Sequence, residues 1–445
     1  MSSFSSNVIS DLNKIIESLA DKSIHRSLVL DPQKNFIRSS KLGIVETVRF
    51  ILGSGPSTLK NELRNFCKDT KISVSSSAMV QSRAKLKENL FYFLLDSLNQ
   101  KYPYKKTFKG YKLIAVDGSK INIPYNPDDV STFHNGKRKT DNTQGKGYNQ
   151  VHLSAAYDVL NSRFIDAMIK GIRQYDERIQ MMQLVSCNEN DKTIWIADRG
   201  YEGANLIENL KQKTKFIIRA KDINGGNGII TGLDIPESEL DKDIDLIFTN
   251  YNRKEYQKQK SKYKIIQKSQ EFDFLNEDTH FYNTTWRILR FKLKNNYEVL
   301  ITNLERDVFS CEDIKYIYGL RWNIEIAFNY LKHDINVINF KSRKKEFIIQ
   351  EILAKLVMYN LCSIINTYLE SQRKQKMKKK LLHKINFSNA IHLIMDVFFK
   401  TKRKGGIPPN LDIQIISDTS PIRKGRSFVR SPHPQNYTAS NYRIY

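Results

Sequence analysis

Residues 314–337 read IKYIYGLRWNIEIAFNYLKHDINV, and the pattern predicts one amphipathic helix. Along it, Tyr318, Arg321, Glu325 and Lys332 are offset by 0, 3, 7 and 14 residues. At about 100° per residue, these offsets place the four side chains within a wedge of roughly 60° on one face. A separate apolar stripe can anchor the helix to a core: Ile317, Leu320, Ile324, Ala327, Phe328, Leu331 and Ile335. The polar face is therefore free to bind another group.

The simplest alternative for this face is a solvated surface. Arg321 and Glu325 would then form an ordinary i,i+4 ion pair, which contributes only about 0.2–0.5 kcal/mol. Two upstream acids favour a functional site instead, because Asp117 follows the apolar run 113–116 and Asp198 follows the apolar run 194–197. In α/β proteins, functional residues gather at the ends of strands. The sequence therefore predicts that Asp117, Asp198 and Glu325 meet in one site.

The charge of the chain favours a nucleic-acid partner. There are 72 Lys and Arg residues against 47 Asp and Glu residues, a formal net charge of +25. Such an excess binds polyanions by releasing their condensed counterions, and double-stranded DNA is the first candidate. A membrane partner is not expected, because the best apolar segment, residues 352–365, is interrupted by Lys355 and is typical of a buried helix.

The first residues and the cysteines bear on location and on metal binding. The sequence MSSFSSN lacks the basic and apolar regions of an export signal, so we expect a cytoplasmic protein associated with the nucleoid of a bacterium. The four cysteines are far apart, with no Cys-x-x-Cys pair and no histidine at zinc-site spacing. A structural zinc ion is therefore not expected.

Residues 1–108 are predicted to form a helical DNA-binding domain. Helices are expected over residues 11–19 with Ser10 as cap, and over 42–52, 58–67 and 78–98. Part of this domain could be a helix-turn-helix with Gln81, Arg83 and Lys85 facing DNA, and a plain helical bundle is an equal alternative.

After residue 108 the sequence pattern changes from helical periodicity to apolar runs typical of strands. The expected strands are 113–123, 148–159, 164–169, 193–197 and 216–219, with helices over 176–185 and 203–211 between the later ones. This order predicts an α/β fold with a ribonuclease H-like catalytic core whose first part spans residues 109–223.

The rest of the chain divides into three predicted regions. After the glycine-rich break at 224–228, a β-rich insertion is expected over residues 224–296. The second part of the core, with the Glu325 helix, then covers 297–370. A basic C-terminal region covers 371–445, with a helix near residues 387–399.

Three converging carboxylates would repel one another unless a cation neutralised them. Oxygen-only ligands suit Mg²⁺ or Mn²⁺, which keep several waters and accept further ligands from substrate phosphates. Two such ions at about 3.5–4 Å could support in-line displacement at phosphorus. Asp117, Asp198 and Glu325 are thus both the predicted catalytic residues and the predicted metal ligands.

Three motifs carry a family resemblance. Ala115-Val-Asp117-Gly-Ser and Ile196-Ala-Asp198-Arg-Gly-Tyr-Glu each surround one aspartate, and the third motif is Tyr318-x2-Arg321-x3-Glu325-x6-Lys332. Over roughly residues 40–370, the chain resembles DDE transposases of the insertion-sequence family-four type, relatives of the Tn-five transposase.

The resemblance implies roles for the residues of these motifs. Asp117, Asp198 and Glu325 would hold the metal ions, and Tyr318, Arg321 and Lys332 would grip the transposon end beside the cleavage site. Arg321 can bind a phosphate through two nitrogens, Lys332 offers a point charge, and Tyr318 offers a hydroxyl. Arg199 and Tyr201, next to the second aspartate, are further expected DNA contacts.

We therefore expect a cut-and-paste transposase of an insertion sequence. It would bind terminal inverted repeats, cleave one strand to expose a 3′-hydroxyl, and join that hydroxyl to target DNA, with a homodimer bringing two ends together. One alternative is a ribonuclease H-fold nuclease without strand transfer. Another is a non-catalytic DNA-binding protein derived from a transposase.

Overall fold

A computed structural model describes residues 3–38, 40–70, 72–137, 144–226, 228–266, 280–293, 296–373, 382–400 and 408–423. The architecture is mixed α/β, as the sequence predicts, with a large mixed sheet and helices on both of its faces. Leu113 and Ala115 face a core shared with most of the helices. Ile114 and Val116 face a second core on the opposite side.

The N-terminal helices are α1 (Phe4–Ser18), α2 (Lys22–Leu28), α3 (Ile44–Gly53), α4 (Leu59–Thr70), α5 (Ser76–Arg83) and α6 (Asn89–Lys101). The prediction that Ser10 caps the first helix is wrong, because α1 begins earlier and the Ser3 side chain accepts a hydrogen bond from the Ser6 N–H. The expected single helix over 78–98 is two helices, since the chain leaves α5 at Ala84 and re-enters a helix at Asn89.

The proposed helix-turn-helix face is partly buried. Arg83 is only 2% exposed, and its guanidinium donates to Glu351, Gln350 and the Phe347 carbonyl oxygen at 2.9, 3.2 and 2.9 Å. The expectation that Arg83 faces DNA is therefore wrong. The cation is used to hold α5 against a helix more than 260 residues away in sequence.

The strands of the large sheet are β1 (Lys112–Ile123), β2 (Phe133–Lys137), β3 (Gln144–Asp158), β4 (Arg163–Gly171), β5 (Thr193–Ala197), β6 (Lys215–Ala220), β7 (Leu240–Thr249), β8 (Tyr263–Ile265), β9 (Phe281–Leu293) and β10 (Asn296–Thr302). Among the described residues their order is β2-β3-β1-β5-β6-β10-β9-β7-β8, with β4 also paired to β3. β1 is antiparallel to β3 and parallel to β5, which is parallel to β6. β1 therefore lies inside the sheet and is paired on both sides.

The predicted insertion contributes strands to this same sheet. β9 pairs antiparallel with β10 along its second half, and β7 pairs with β9 over ten residue pairs. β10 in turn pairs with β6. The β-rich segment thus extends the edge of the main sheet, since the backbone groups of β10 need partners on both sides.

Helices α7 (Glu177–Cys187) and α8 (Ala204–Lys213) cover one face of the sheet. The remaining elements are α9 (Lys254–Lys258), α10 (Cys311–Leu320), α11 (Trp322–His333), α12 (Lys345–Gln372), β11 (His383–Ile385), α13 (Phe387–Lys400), α14 (Leu411–Ser417) and β12 (Thr419–Pro421). The helix expected near 387–399 is α13. The predicted basic region 371–445 lies in part outside the described residues.

Helix α12 is the centre of the helical layer. By length and composition it could cross a membrane, yet its most apolar window is entirely buried inside the protein, as in the core helix of a folded domain. It packs against α1, α3, α6, α13 and α14 and against β4. N-terminal and C-terminal helices therefore share one core with the second part of the chain.

Helix α1 is joined to α14 at its first turn. The Asp412 carboxylate accepts hydrogen bonds from the N–H groups of Phe4 and Ser5 at 3.0 and 3.2 Å. A carboxylate at this position satisfies donors that have no partner within the helix and also interacts favourably with the helix dipole. The contact closes the helical layer.

A lysine is buried in the middle of α12. Lys355 Nζ donates to the Ser54 carbonyl oxygen at 2.5 Å, and burial lowers the pKa of Lys355 to about 7. Lys341 lowers this pKa further, whereas Glu351 and Glu62 oppose the shift.

The buried Lys355 should make stability depend on pH. An unfolded lysine has a pKa of about 10.4, so between about pH 7 and 10 the unfolded chain binds more protons than the folded one. The free energy of unfolding should therefore rise with pH in this window, and Lys355→Met should remove that part of the rise. Chemical denaturation across pH measures the slope, and the exposed Lys101→Met is the control. Parallel pH profiles for wild type and Lys355→Met would contradict the prediction.

Candidate active site

Asp117 and Asp198 are brought together by the parallel pairing of β1 and β5. Val116 pairs with Ala197, and each aspartate is the next residue on its chain. Neighbouring strands lie about 4.8 Å apart, so the two carboxylates emerge side by side where this pairing stops. Asp117 is not at the end of β1, which continues to Ile123 against β3.

Glu325 reaches the same place from α11, which packs against β1. The single helix predicted over 314–337 is divided at Arg321, where N–H groups bond three residues back and Arg321 keeps helical torsion angles. Arg321 Nη2 donates to Glu325 Oε1 at 2.8 Å, and Arg321 Nη1 lies 3.7 Å from Asp117 Oδ2. The arginine thus links the first and third predicted acids.

The electrostatics of Asp117 show that the three acids influence one another. Burial raises the pKa of Asp117 to about 7, and the charges of Asp198 and Glu325 also raise it. The Gly118 N–H, which donates to Asp117 Oδ1 at 2.8 Å, and the Arg321 guanidinium both oppose that shift. A further positive charge beside Asp117 would therefore favour its ionised form at neutral pH.

Two predicted DNA contacts are buried beside the acids. Tyr318 is 6% exposed and Tyr201 is 1% exposed, so neither ring offers a surface to DNA in this structure. Burial raises the pKa of both phenols, to about 12 for Tyr318, and the charge of Asp198 contributes to each shift. The polar helix face was expected to be free, but it is turned towards the acids because α11 packs on β1.

Other predicted residues keep access to solvent. Arg199 is exposed in a short 3-10 turn directly after Asp198, whose carboxylate accepts from the Gly200 N–H at 2.8 Å. Lys332 is partly buried, and burial lowers its pKa while the charge of Asp117 opposes the shift. Arg199 follows Asp198 directly and Lys332 lies near enough to Asp117 to be affected by its charge, so both place positive charge near the aspartates.

The carboxylates are gathered but do not form a closed chelate. Among the described residues, no three His, Cys, Asp or Glu side chains are arranged closely enough to hold one metal ion. Three polar atoms at the site are buried and have no hydrogen-bond partner within the described part of the chain: Tyr201 Oη, Tyr318 Oη and Arg321 Nη1. The acids and Arg321 are close enough to affect one another's charge, so the arrangement is able to interact with cations and with phosphate oxygens.

Two further residues of this neighbourhood, Glu177 and His152, are not among the predicted site residues. Glu177 lies in the first turn of α7 and accepts a hydrogen bond from His152 on β3 at 3.0 Å. An acid in the first turn of a helix is ordinary, so its sequence position gives no functional signal. His152 lies in β3 within a strand-like stretch of sequence, but its partner comes from a different element.

Residues 108–361 match the protein family described as the transposase DDE domain. The structure is also similar to a cryo-EM structure of a piggyBac transposase synaptic complex with hairpin DNA, with 10% identity and a TM-score of 0.42 over 92% of this chain and 82% of that chain. No curated protein matches the sequence significantly. The family match covers more than half of the chain and includes Asp117, Asp198 and Glu325. The chain therefore belongs to the transposase DDE domain family.

Proposed function

We propose that the protein is a cut-and-paste transposase of an insertion sequence, of the family-four type. It binds the terminal inverted repeats of its element, hydrolyses one strand to release a 3′-hydroxyl, and joins that hydroxyl to target DNA. The observation that supports this most is that Asp198 and Glu325 both lie near Asp117, with Arg321 linking Asp117 to Glu325. The sheet order β4-β3-β1-β5-β6 supports a ribonuclease H-like core.

Asp117, Asp198 and Glu325 are the residues that would hold divalent cations, Mg²⁺ or Mn²⁺ and two in number. Their donor atoms are all carboxylate oxygens, the ligands these ions prefer. The raised pKa of Asp117 fits the same role, because a buried acid of this kind needs a cation beside it to stay ionised. When bound, such ions polarise the phosphodiester and activate the attacking oxygen.

Arg321 has two tasks in this proposal. Its Nη2 donates to Glu325 and neutralises that carboxylate. Its Nη1 is buried and has no hydrogen-bond acceptor among the described residues. A guanidinium held in this way can bind a phosphate oxygen of the strand next to the acids. Arg321 would then exchange part of its bonding to Glu325 for bonding to the substrate phosphate, which would free carboxylate oxygens of Asp117 and Glu325 for metal binding.

Lys332 and Arg199 bind DNA phosphates near the aspartates. Both are basic side chains with access to solvent, and they belong to different elements, α11 and the turn after β5. The net charge of +25 strengthens binding to DNA along the rest of the surface. We further propose that two copies act together, since joining two ends to one target needs two sites.

A cleavage and joining assay tests the proposal. The full chain would be mixed with a DNA fragment carrying the ends of its flanking element, a target plasmid and Mg²⁺. We expect cuts at the element ends, joined products from pre-cleaved ends, and loss of both on chelation with EDTA. Cutting without joining would instead favour a nuclease, and binding without any cutting would favour a non-catalytic DNA-binding protein. Either result would overturn the proposal.

A further inference from the structure

We infer that Glu177, held in place by His152, is a positioning residue that fixes the two backbone segments carrying Asp117 and Asp198. The inference rests on the proposed function, because it assigns a role in the same reaction. Glu177 approaches from α7, which covers the face of the sheet opposite to the face on which the Glu325 helix packs. It is therefore a support from the other side of the sheet.

One oxygen of Glu177 is held by a buried histidine. His152 Nε2 donates to Glu177 Oε1 at 3.0 Å. The His152 ring is 1% exposed and stacks on Tyr175, with centroids 4.1 Å apart and ring planes 18° apart. Because the ring is enclosed in this way, it cannot turn without losing both contacts. The Glu177 carboxylate thus has a fixed anchor.

The segment carrying Asp117 rests directly on this pair. A methyl group on Gly118 would lie 2.5 Å from two ring atoms of His152 and 3.1 Å from Glu177 Oε1. There is consequently no room for a side chain between the backbone after Asp117 and the pair. The Gly118 N–H donates to Asp117 Oδ1, so the position of the Gly118 backbone also sets the position of the Asp117 carboxylate.

The turn that carries Asp198 lies beside the second carboxylate oxygen of Glu177. A methyl group on Gly200 would lie 3.3 Å from Glu177 Oε2 and 3.0 Å from Asp198 Oδ1. The Gly200 N–H donates to Asp198 Oδ1, so this turn also sets the position of its aspartate. The buried Tyr201 hydroxyl, which has no hydrogen-bond partner among the described residues, feels the charges of Asp117, Glu177 and Asp198 together.

One carboxylate thus lies next to the glycine that follows each aspartate in its motif, close enough to exclude a side chain there, without belonging to either motif. If it is removed, the turn at Gly200 and the strand at Gly118 lose their common support and can move independently. Supporting residues of this kind typically change metal affinity or activity by about 10- to 100-fold when they are replaced. A misplacement of about 1 Å at reacting groups is enough to produce such a loss.

Calorimetric titration with Mn²⁺, together with cleavage kinetics, tests the inference. Glu177→Ala should weaken Mn²⁺ binding and lower kcat, each by about 10- to 100-fold. The KM for the DNA end and the melting temperature should stay at their wild-type values. Glu177→Gln, which can still accept from His152, should restore most of the affinity and rate. The exposed Glu189→Ala, just after α7, is the surface control and should match wild type.

A double-variant cycle with His152→Asn separates positioning from a loss of folding. If His152 acts through Glu177, His152→Asn should weaken Mn²⁺ binding, and adding it to Glu177→Ala should cause little further loss. Wild-type Mn²⁺ affinity in Glu177→Ala, or losses that only follow a fall in melting temperature, would overturn the inference. A wild-type protein that neither binds Mn²⁺ nor cleaves would overturn the proposed function itself.

Discussion

Asp117→Ala should lower the rate of DNA strand cleavage by about 10³-fold, which corresponds to about 4 kcal/mol of lost transition-state stabilisation. The reason is that a carboxylate that holds the metal ions acts on the reacting phosphate through them. Binding to the DNA end should remain measurable, since Arg199 and Lys332 are unchanged. Asp198→Ala and Glu325→Ala should have the same effect. Cleavage of a labelled element end and a binding titration on the same DNA give the two measurements.

The fold should survive the loss of Asp117. Burial raises the pKa of this carboxyl, so its ionised form is unfavourable in the folded protein and alanine removes that cost. Asp191→Ala is a matched control, because Asp191 is exposed and precedes β5 whereas Asp198 follows it. Wild-type cleavage by all three site variants would contradict the assignment of these acids.

Arg83→Met should lower the free energy of unfolding by about 3–5 kcal/mol, the usual cost of breaking a buried ion pair from one side. Arg83 and Glu351 are both almost completely buried, with side-chain exposures of 3% and 8% and an N–O distance of 2.9 Å. Without the guanidinium, the Glu351 carboxylate stays in the core without its charge partner. Denaturant unfolding followed by circular dichroism measures the change.

A second substitution tests the cause of that loss. Arg83→Met combined with Glu351→Gln should recover part of the stability, because no uncompensated charge is then buried. Arg26→Met, at an exposed arginine of α2, should change stability by less than about 0.5 kcal/mol. An Arg83→Met variant as stable as Arg26→Met would show that the buried pair does not hold the helices together.

Local patterns in the sequence were sufficient for most of the strands. The expected run 193–197 is β5 as the structure has it, and the run 113–123 is β1 with one further residue. An apolar run of this length indicates a buried strand whichever element covers it, so the strand can be recognised without knowing its neighbours in the fold. The same is true of Asp198, which follows β5, whereas Asp117 follows only the apolar first half of β1.

Features that depend on distant partners could not be predicted. The sequence around Arg83 does not indicate that its partner is Glu351, and the prediction that the Arg83 side chain faces outward was therefore wrong. Tyr201 follows a charged turn, yet its ring enters the core because α7 and α8 enclose it. The pairing of β10 with β6 depends in the same way on an edge that only the assembled fold provides.

The bond between Asp412 and the first turn of α1 has a consequence for how the protein is made. The Phe4 N–H is synthesised long before Asp412, so it cannot make this hydrogen bond until about four hundred further residues have been added. A product of early termination would keep apolar helix faces uncovered. Such fragments should be substrates for proteolysis and aggregation.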